Sequence, residues 1–313
     1  MKGIELAESF FNLYGKPMLE NEFSDITDKL ACGIAGSGSE CFGFDDEIST
    51  DHDFEAGFCI FLPGEDIIDR RTEFLLERAY AKLPKEFGGV KRGMLSPVGG
   101  ARRGVIRTGD FFNEKVGCTD GSLTVSEWLT LPEQSLAEAT NGKIFFDNFG
   151  EVTKIREKLA YFPDDIRLKK LAGNLLLMAQ SGQYNYKRSV DRGELAAAQL
   201  AVFEFVKHAA SVIFLLNGVY EPYYKWCFKA LRALPKLSIE AEIMEYLITT
   251  DNSPDLAKEK YYAIEGVAAD VIDELQNQKL TKAVCGDLEK HAYSVNDTIL
   301  DSNVRNLHVL SAV

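Results

Sequence analysis

The sequence predicts an α+β chain: a mixed β-sheet with flanking helices over residues 1–150, then an all-α helical bundle over residues 151–313. Three observations lead there. Short apolar runs at 31–35, 57–62, 104–108 and 143–146 stand between glycine, proline and polar breaks, as strands do. Amphipathic stretches of helical period lie between them. From Glu151 onward the period becomes helical and stays so.

In chain order, residues 3–14 carry Ile4, Leu6, Phe10, Phe11 and Leu13 in a helical rhythm that should end near Gly15-Lys16-Pro17. A short amphipathic stretch, Phe23 to Leu30, leads to a first strand at 31–35. A second strand starts at Phe54 or Gly57 and runs to Leu62, where Pro63-Gly64 breaks it. Glu65 and Asp66 open a helix from Asp66 to about Lys82. Gly88-Gly89, Pro97 and Gly99-Gly100 mark a loop before the strand Gly104–Thr108. Two helices follow, one from Thr124 or Ser126 and one after Pro132 with Glu133 in its first turn. Lys143 to Phe146 is a strand running to Asp147. The second half should hold helices at 164–181, 190–218, 222–233, 237–249, 254–276, 279–293 and 296–309.

Composition narrows the function. At 313 residues the chain is long enough for two domains with their own cores. Its 46% hydrophobic and 27% charged residues are those of an ordinary globular protein. With 35 basic against 48 acidic residues the net charge is −13, which disfavours broad binding to a nucleic-acid backbone, since that depends on Lys and Arg. Six cysteines without a C-x-x-C pair, and four histidines, give no zinc spacing and read as reduced thiols of a cytosolic protein. The N-terminal Met1-Lys2-Gly3-Ile4-Glu5 has no apolar signal core, so a cytoplasmic location is expected. The apolar window Leu195–Tyr220 contains Glu204, Lys207 and His208, and reads as a buried core helix rather than a membrane span.

One stretch carries the chemistry. A loop of Gly36, Ser37, Gly38 and Ser39 is followed by Asp51-His52-Asp53. On a strand, alternate side chains share a face, so Asp51 and Asp53 would point the same way. Two such carboxylates make a hard-oxygen site suited to Mg²⁺ or Mn²⁺, and a polar loop exposing N–H groups suits a triphosphate. Other motifs fail on residues. A P-loop would need a lysine where Ser39-Glu40 stand. The glycines at 33, 36, 38 and 43 miss the dinucleotide fingerprint, and Ala56 and Leu62 occupy the glycine and glutamate places of an EF-hand begun at Asp51.

A Gly-Ser loop followed at this distance by Asp-x-Asp resembles the DNA polymerase β-type nucleotidyltransferase superfamily. The wording Gly-Ser-Glu-Cys-Phe-Gly-Phe-Asp-Asp-Glu-Ile-Ser-x-Asp-His-Asp is similar to one bacterial branch of it, of uncharacterised function, whose layout resembles the aminoglycoside nucleotidyltransferases. Further segments of the resemblance are Trp128-Leu129, Phe146-Asp147, Tyr161-Phe162-Pro163 and Tyr220 to Trp226. It implies a nucleotidyltransferase-type sheet and transfer of a nucleotidyl group, AMP from ATP by default, to a small-molecule acceptor. Mg²⁺ or Mn²⁺ would be the cofactor. Asp51 and Asp53 would be the metal ligands, and Gly36, Ser37, Gly38 and Ser39 would hold the phosphates. Arg188 and Lys225 match charged positions that such enzymes direct at the nucleotide. A third carboxylate is expected on a later strand; Asp147 is preferred and Asp110 is the other candidate. Five basic residues between Lys91 and Gly109 form a local bias from which an arginine could reach the phosphates, or a solvated loop. Asp45, Asp46 and Glu47 read as a solvated acidic turn. Two other functions fit: a protein- or tRNA-modifying nucleotidyltransferase, with tRNA disfavoured by charge, and a catalytically degenerate nucleotide-binding regulator.

Overall fold

The computed structural model describes residues 2–46, 55–92 and 103–313. The chain divides into two compact units, Met1–Leu123 with Gln134–Ala160, and Thr124–Glu133 with Tyr161–Val313.

In chain order, α1 (Gly3–Phe10), a π-helical turn (Phe11–Gly15) and α2 (Lys16–Glu22) precede β1 (Ala31–Ile34). The short α3 (Ser39–Phe42), β2 (Cys59–Leu62) and α4 (Arg70–Lys82) follow. Next come the hairpin strands β3 (Glu86–Phe87) and β4 (Val90–Lys91), then β5 (Gly104–Arg107) and α5 (Thr108–Val116). After these are α6 (Val125–Thr130), α7 (Glu133–Thr140), β6 (Lys143–Asp147) and α8 (Glu151–Lys158).

The first unit is built on a mixed sheet in the order β5-β2-β1-β6. β1 runs antiparallel to both β2 and β6, and β2 runs parallel to β5. Register sets the geometry of one edge. Gly33 lies opposite Cys59, Cys59 opposite Gly104, and Ile34 opposite Lys143. The end of β1 therefore meets the starts of β2, β5 and β6. Both faces are covered. Cys32, Ile60 and Leu62 share a buried cluster with Phe10, Phe11, Leu19 and Leu76, whereas Phe61, one residue out of phase, packs edge-on against Phe111 of α5 at 5.3 Å.

Several boundaries differ from expectation. The first helix does not end at Pro17: the π-helical turn absorbs the irregularity, and Pro17 takes the second position of α2, where its missing N–H costs little. α4 begins at Arg70 because the Asp69 side chain accepts the Thr72 N–H at 2.8 Å and sets the cap there. Gly88-Gly89 turns a small hairpin. β2 begins at Cys59, with residues 55–58 outside it. Asp45 is not a solvated turn residue. It is buried and accepts the Gly3 N–H at 3.1 Å, closing the start of α1.

The second unit holds α6 and is otherwise all-helical, as expected. Its elements are α9 (Asp164–Met178), a π-helical turn (Ala179–Tyr186), α10 (Lys187–Asp191), α11 (Leu195–Asn217), α12 (Tyr224–Leu231), α13 (Glu240–Thr249), α14 (Pro254–Asn277), α15 (Leu288–Asn296) and α16 (Ser302–Arg305). The expected helices at 279–293 and 296–309 shrink to α15 and α16. Lys279 takes a left-handed conformation that stops α14, and the Asp287 and Asp301 side chains cap later starts. α11 is long and apolar enough to cross a membrane by length and composition, and 67% of its most apolar window is buried within the protein.

Candidate functional site

The Gly36–Ser39 segment leaves β1 at the edge where β2, β5 and β6 begin. Gly36 (φ +105°) and Gly38 (φ +122°) adopt backbone conformations that side chains resist, so the reversal there depends on glycine. Asn141 clamps the loop from the turn before β6. The Gly36 N–H donates to Asn141 Oδ1 at 2.9 Å, and Asn141 Nδ2 donates to the Gly36 carbonyl at 2.9 Å, in the manner of a strand pair. Next to it, Gly142 (φ +70°) runs so close to β1 that a Cβ there would stand 1.9 Å from the Ile34 carbonyl oxygen. Arg156 completes the support, donating to the Thr140 carbonyl and, at 2.8 Å, to the Asn141 carbonyl.

Beneath the loop lies an ion pair. Arg103 Nη2 meets Glu40 Oε1 at 2.6 Å, with both side chains only 3% exposed. The same guanidinium donates to the Ala35 carbonyl at 3.4 Å and to Cys41 Sγ at 3.5 Å. Burial works against the charge on Arg103, and the Glu40 carboxylate beside it favours the charged guanidinium. Burial pushes the Cys41 thiol up to about 12 and raises that of Cys59, so both stay neutral beside the guanidinium. All six cysteines are unbridged thiols.

A cleft of about 100 Å³ opens beside the loop. Gly36, Ser37, Cys59, Arg103, Glu114 and Lys115 line it. Lys115 Nζ is held by Glu138 at 3.0 Å and Glu114 at 3.3 Å. Neither residue stands out in the sequence. α5 runs back from the far end of β5, and only that return brings its last turn to the loop.

The expected residues are distributed as follows. Gly36, Ser37, Gly38 and Ser39 form the loop. Asp51 and Asp53 lie outside the described residues, as do His52 and Arg102. Among the described residues, no cluster of three His, Cys, Asp or Glu side chains is built to hold a metal ion. Asp147 is not brought to the loop: it pairs with Ala31 at the opposite end of β1. Its carboxylate accepts the Gly150 N–H at 2.8 Å and the Thr153 N–H at 2.7 Å, closing the turn into α8. Asp110 is exposed in the first turn of α5, beyond the far end of β5. Arg188 and Lys225 belong to the second unit. Both are exposed and lie over aromatic rings, Arg188 over Tyr184 at 3.9 Å and Lys225 over Trp226 at 5.0 Å. Of the basic stretch, Arg92 donates to the Tyr80 carbonyl at 2.8 Å, and Arg107 is used by Glu73 and by the Pro63 and Ile68 carbonyls. Arg103 is the described arginine that reaches the cleft.

Residues 128–227 match a family described as a domain of unknown function (DUF4037). No curated protein matches the chain. Among solved structures, the chain is similar to a nucleotidyltransferase-like protein from Exiguobacterium sibiricum 255-15, with 12% identity over 87% of this chain and 77% of that one, at a TM-score of 0.36.

Proposed function

We propose that the protein is a nucleotidyltransferase that binds a nucleoside triphosphate, ATP by default, at the Gly36–Ser39 loop and moves its nucleotidyl group to a hydroxyl of a small-molecule acceptor. The observation that carries this reading is the convergence at one sheet edge: a glycine-serine loop held open by Asn141, a cleft beside it, and the chain entering β2 from Glu55. In the reaction the acceptor oxygen attacks the α-phosphorus, the bond to the β-phosphate oxygen breaks, and pyrophosphate leaves. Mg²⁺ or Mn²⁺ would be held by Asp51 and Asp53, and would supply charge stabilisation at the phosphate oxygens. The hard-oxygen donor set suits either ion, and Glu114 adds a carboxylate to the described wall of the cleft. Glu114 is accordingly a better third-carboxylate candidate than Asp147 or Asp110. Cytoplasmic location is part of the same reading.

The test is pyrophosphate release with each of the four NTPs, Mg²⁺ and extract of the native host. Asp51→Asn and Asp53→Asn should each abolish release, and Glu114→Gln should reduce it, while Asp147→Asn and Asp110→Asn should leave turnover intact. Absence of release by the wild type with every NTP would overturn the enzyme reading. A nucleotide-binding regulator is the second reading, favoured by the position of Asp147 and Asp110 away from the loop. It is distinguished by nucleotide binding without pyrophosphate release.

A further inference from the structure

The cleft beside the loop is small and carries a cation with two carboxylate partners. A phosphate group fits that space. Arg103 is locked under the loop by Glu40. Lys115 is differently placed: its side chain is 15% exposed, and its Cε stands 3.8 Å from where a Cβ on Gly36 would be. Its partners are a partly exposed Glu138 and a largely exposed Glu114, and ion pairs of that kind contribute little by themselves.

We propose that Lys115 is a phosphate-binding residue, gripping a terminal phosphate of the nucleotide after exchanging Glu138 for it. This rests on the nucleotide reading above and adds to it the group that the cleft recognises. The ammonium already lies against the loop, so the exchange needs a rotation of the side chain rather than a movement of α5. Glu138 holds the ammonium in the cleft until the phosphate arrives. Charge-assisted bonds to phosphate oxygens are stronger than neutral ones, which favours the exchange.

The experiment is calorimetric titration of the full chain, in Mg²⁺ buffer, with ATP, AMP, tripolyphosphate and inorganic phosphate. The melting temperature of every variant is measured alongside. Lys115→Gln should weaken ATP and tripolyphosphate about 10-fold or more and leave AMP almost unchanged. Lys115→Arg should recover most of the loss, and Glu138→Gln should tighten ATP by releasing the ammonium. Wild-type binding of ATP with no change in Lys115→Gln would overturn the role of Lys115 while leaving the nucleotide reading standing. Equal losses for AMP and ATP would also overturn it. Inorganic phosphate binding as tightly as ATP would mean a free-anion site and overturn the nucleotide subsite. Failure of the wild type to bind any NTP would instead sink the underlying nucleotide reading.

Discussion

The two units handle buried charge in opposite ways. In the first, buried or half-buried cations meet anions: Arg103 with Glu40, Arg107 with Glu73, Lys115 with Glu138. In the second, two of the buried lysines are surrounded by neutral oxygens. Lys169 Nζ donates to Asn296 Oδ1 at 2.8 Å and to the Arg305 and Leu307 carbonyls at 3.2 and 2.6 Å. Lys260 Nζ donates to Gln199 Oε1 and the Thr250 carbonyl, each at 2.9 Å, and to Asn252 Oδ1 at 3.2 Å. Burial lowers the pKa of both lysines, and beside Lys260 the Asp251 carboxylate offsets only part of it. Ion pairs can exchange one partner for an incoming anion. A lysine bracketing carbonyls cannot do so without breaking the fold, so the first arrangement suits a binding loop and the second a scaffold.

The sharpest way to break that contrast is to remove one member of the deepest pair. Arg103→Met takes the guanidinium away from the buried Glu40 carboxylate, and should cost about 3–5 kcal/mol in urea denaturation. The double variant Arg103→Met with Glu40→Leu should recover a large part of this, since the buried carboxylate is gone too. If the double variant is as unstable as the single, Arg103 acts mainly through the Ala35 carbonyl and not through the pair.

Lys169→Met comes next. It strips the donor from three acceptors and should cost about 3 kcal/mol, at roughly 1 kcal/mol for each stranded group. No single second substitution should rescue it, because two of the partners are backbone carbonyls. Recovery by Asn296→Leu would contradict the bracket.

The second unit also buries an acid. Glu133 Oε2 accepts the Glu221 N–H at 3.1 Å, and burial raises the Glu133 pKa to about 7 against the pull of that N–H and of Lys170. The unfolded chain releases this proton near 4.5 and the folded chain only near 7. The stabilising contribution is therefore complete below pH 4.5, falls as the pH rises through that window, and is gone above 7. Its ceiling is roughly 3 kcal/mol. Glu133→Gln should gain on the wild type in melting temperature as pH rises from 5 to 8, and a constant gap would refute the assignment.

The smallest effect concerns the loop itself. Asn141→Ala removes the two-point clamp on Gly36 and should cost about 1–2 kcal/mol of stability. On the proposed function, the KM for nucleotide should rise a few-fold with kcat less affected. An unchanged KM would mean that the loop keeps its shape without the clamp.

Much of this was readable in the amino-acid order, because it is local. The capping box of Thr124 and Glu127 marks the start of α6, and the apolar run of β6 is bounded by Gly142 and Asp147. The helical period after Glu151 fixed the class of the second half, and the glycines at 36 and 38 marked a loop. Long-range placement was not readable. The same residues that make β6 a legible strand leave its direction open, and direction puts Asp147 at the far end of β1 while bringing Asn141 to the loop.

Local periodicity and turn chemistry thus determined the α+β class, the helical second half and the position of the glycine loop, since each depends on neighbours within a few residues. Tertiary structure alone decided which charges meet. Strand register set Gly33, Cys59 and Gly104 side by side, and the return of α5 set Lys115 against Gly36. Those pairings join residues far apart in the chain, where no sequence interval records proximity, and packing of Phe61 on Phe111 holds them in place.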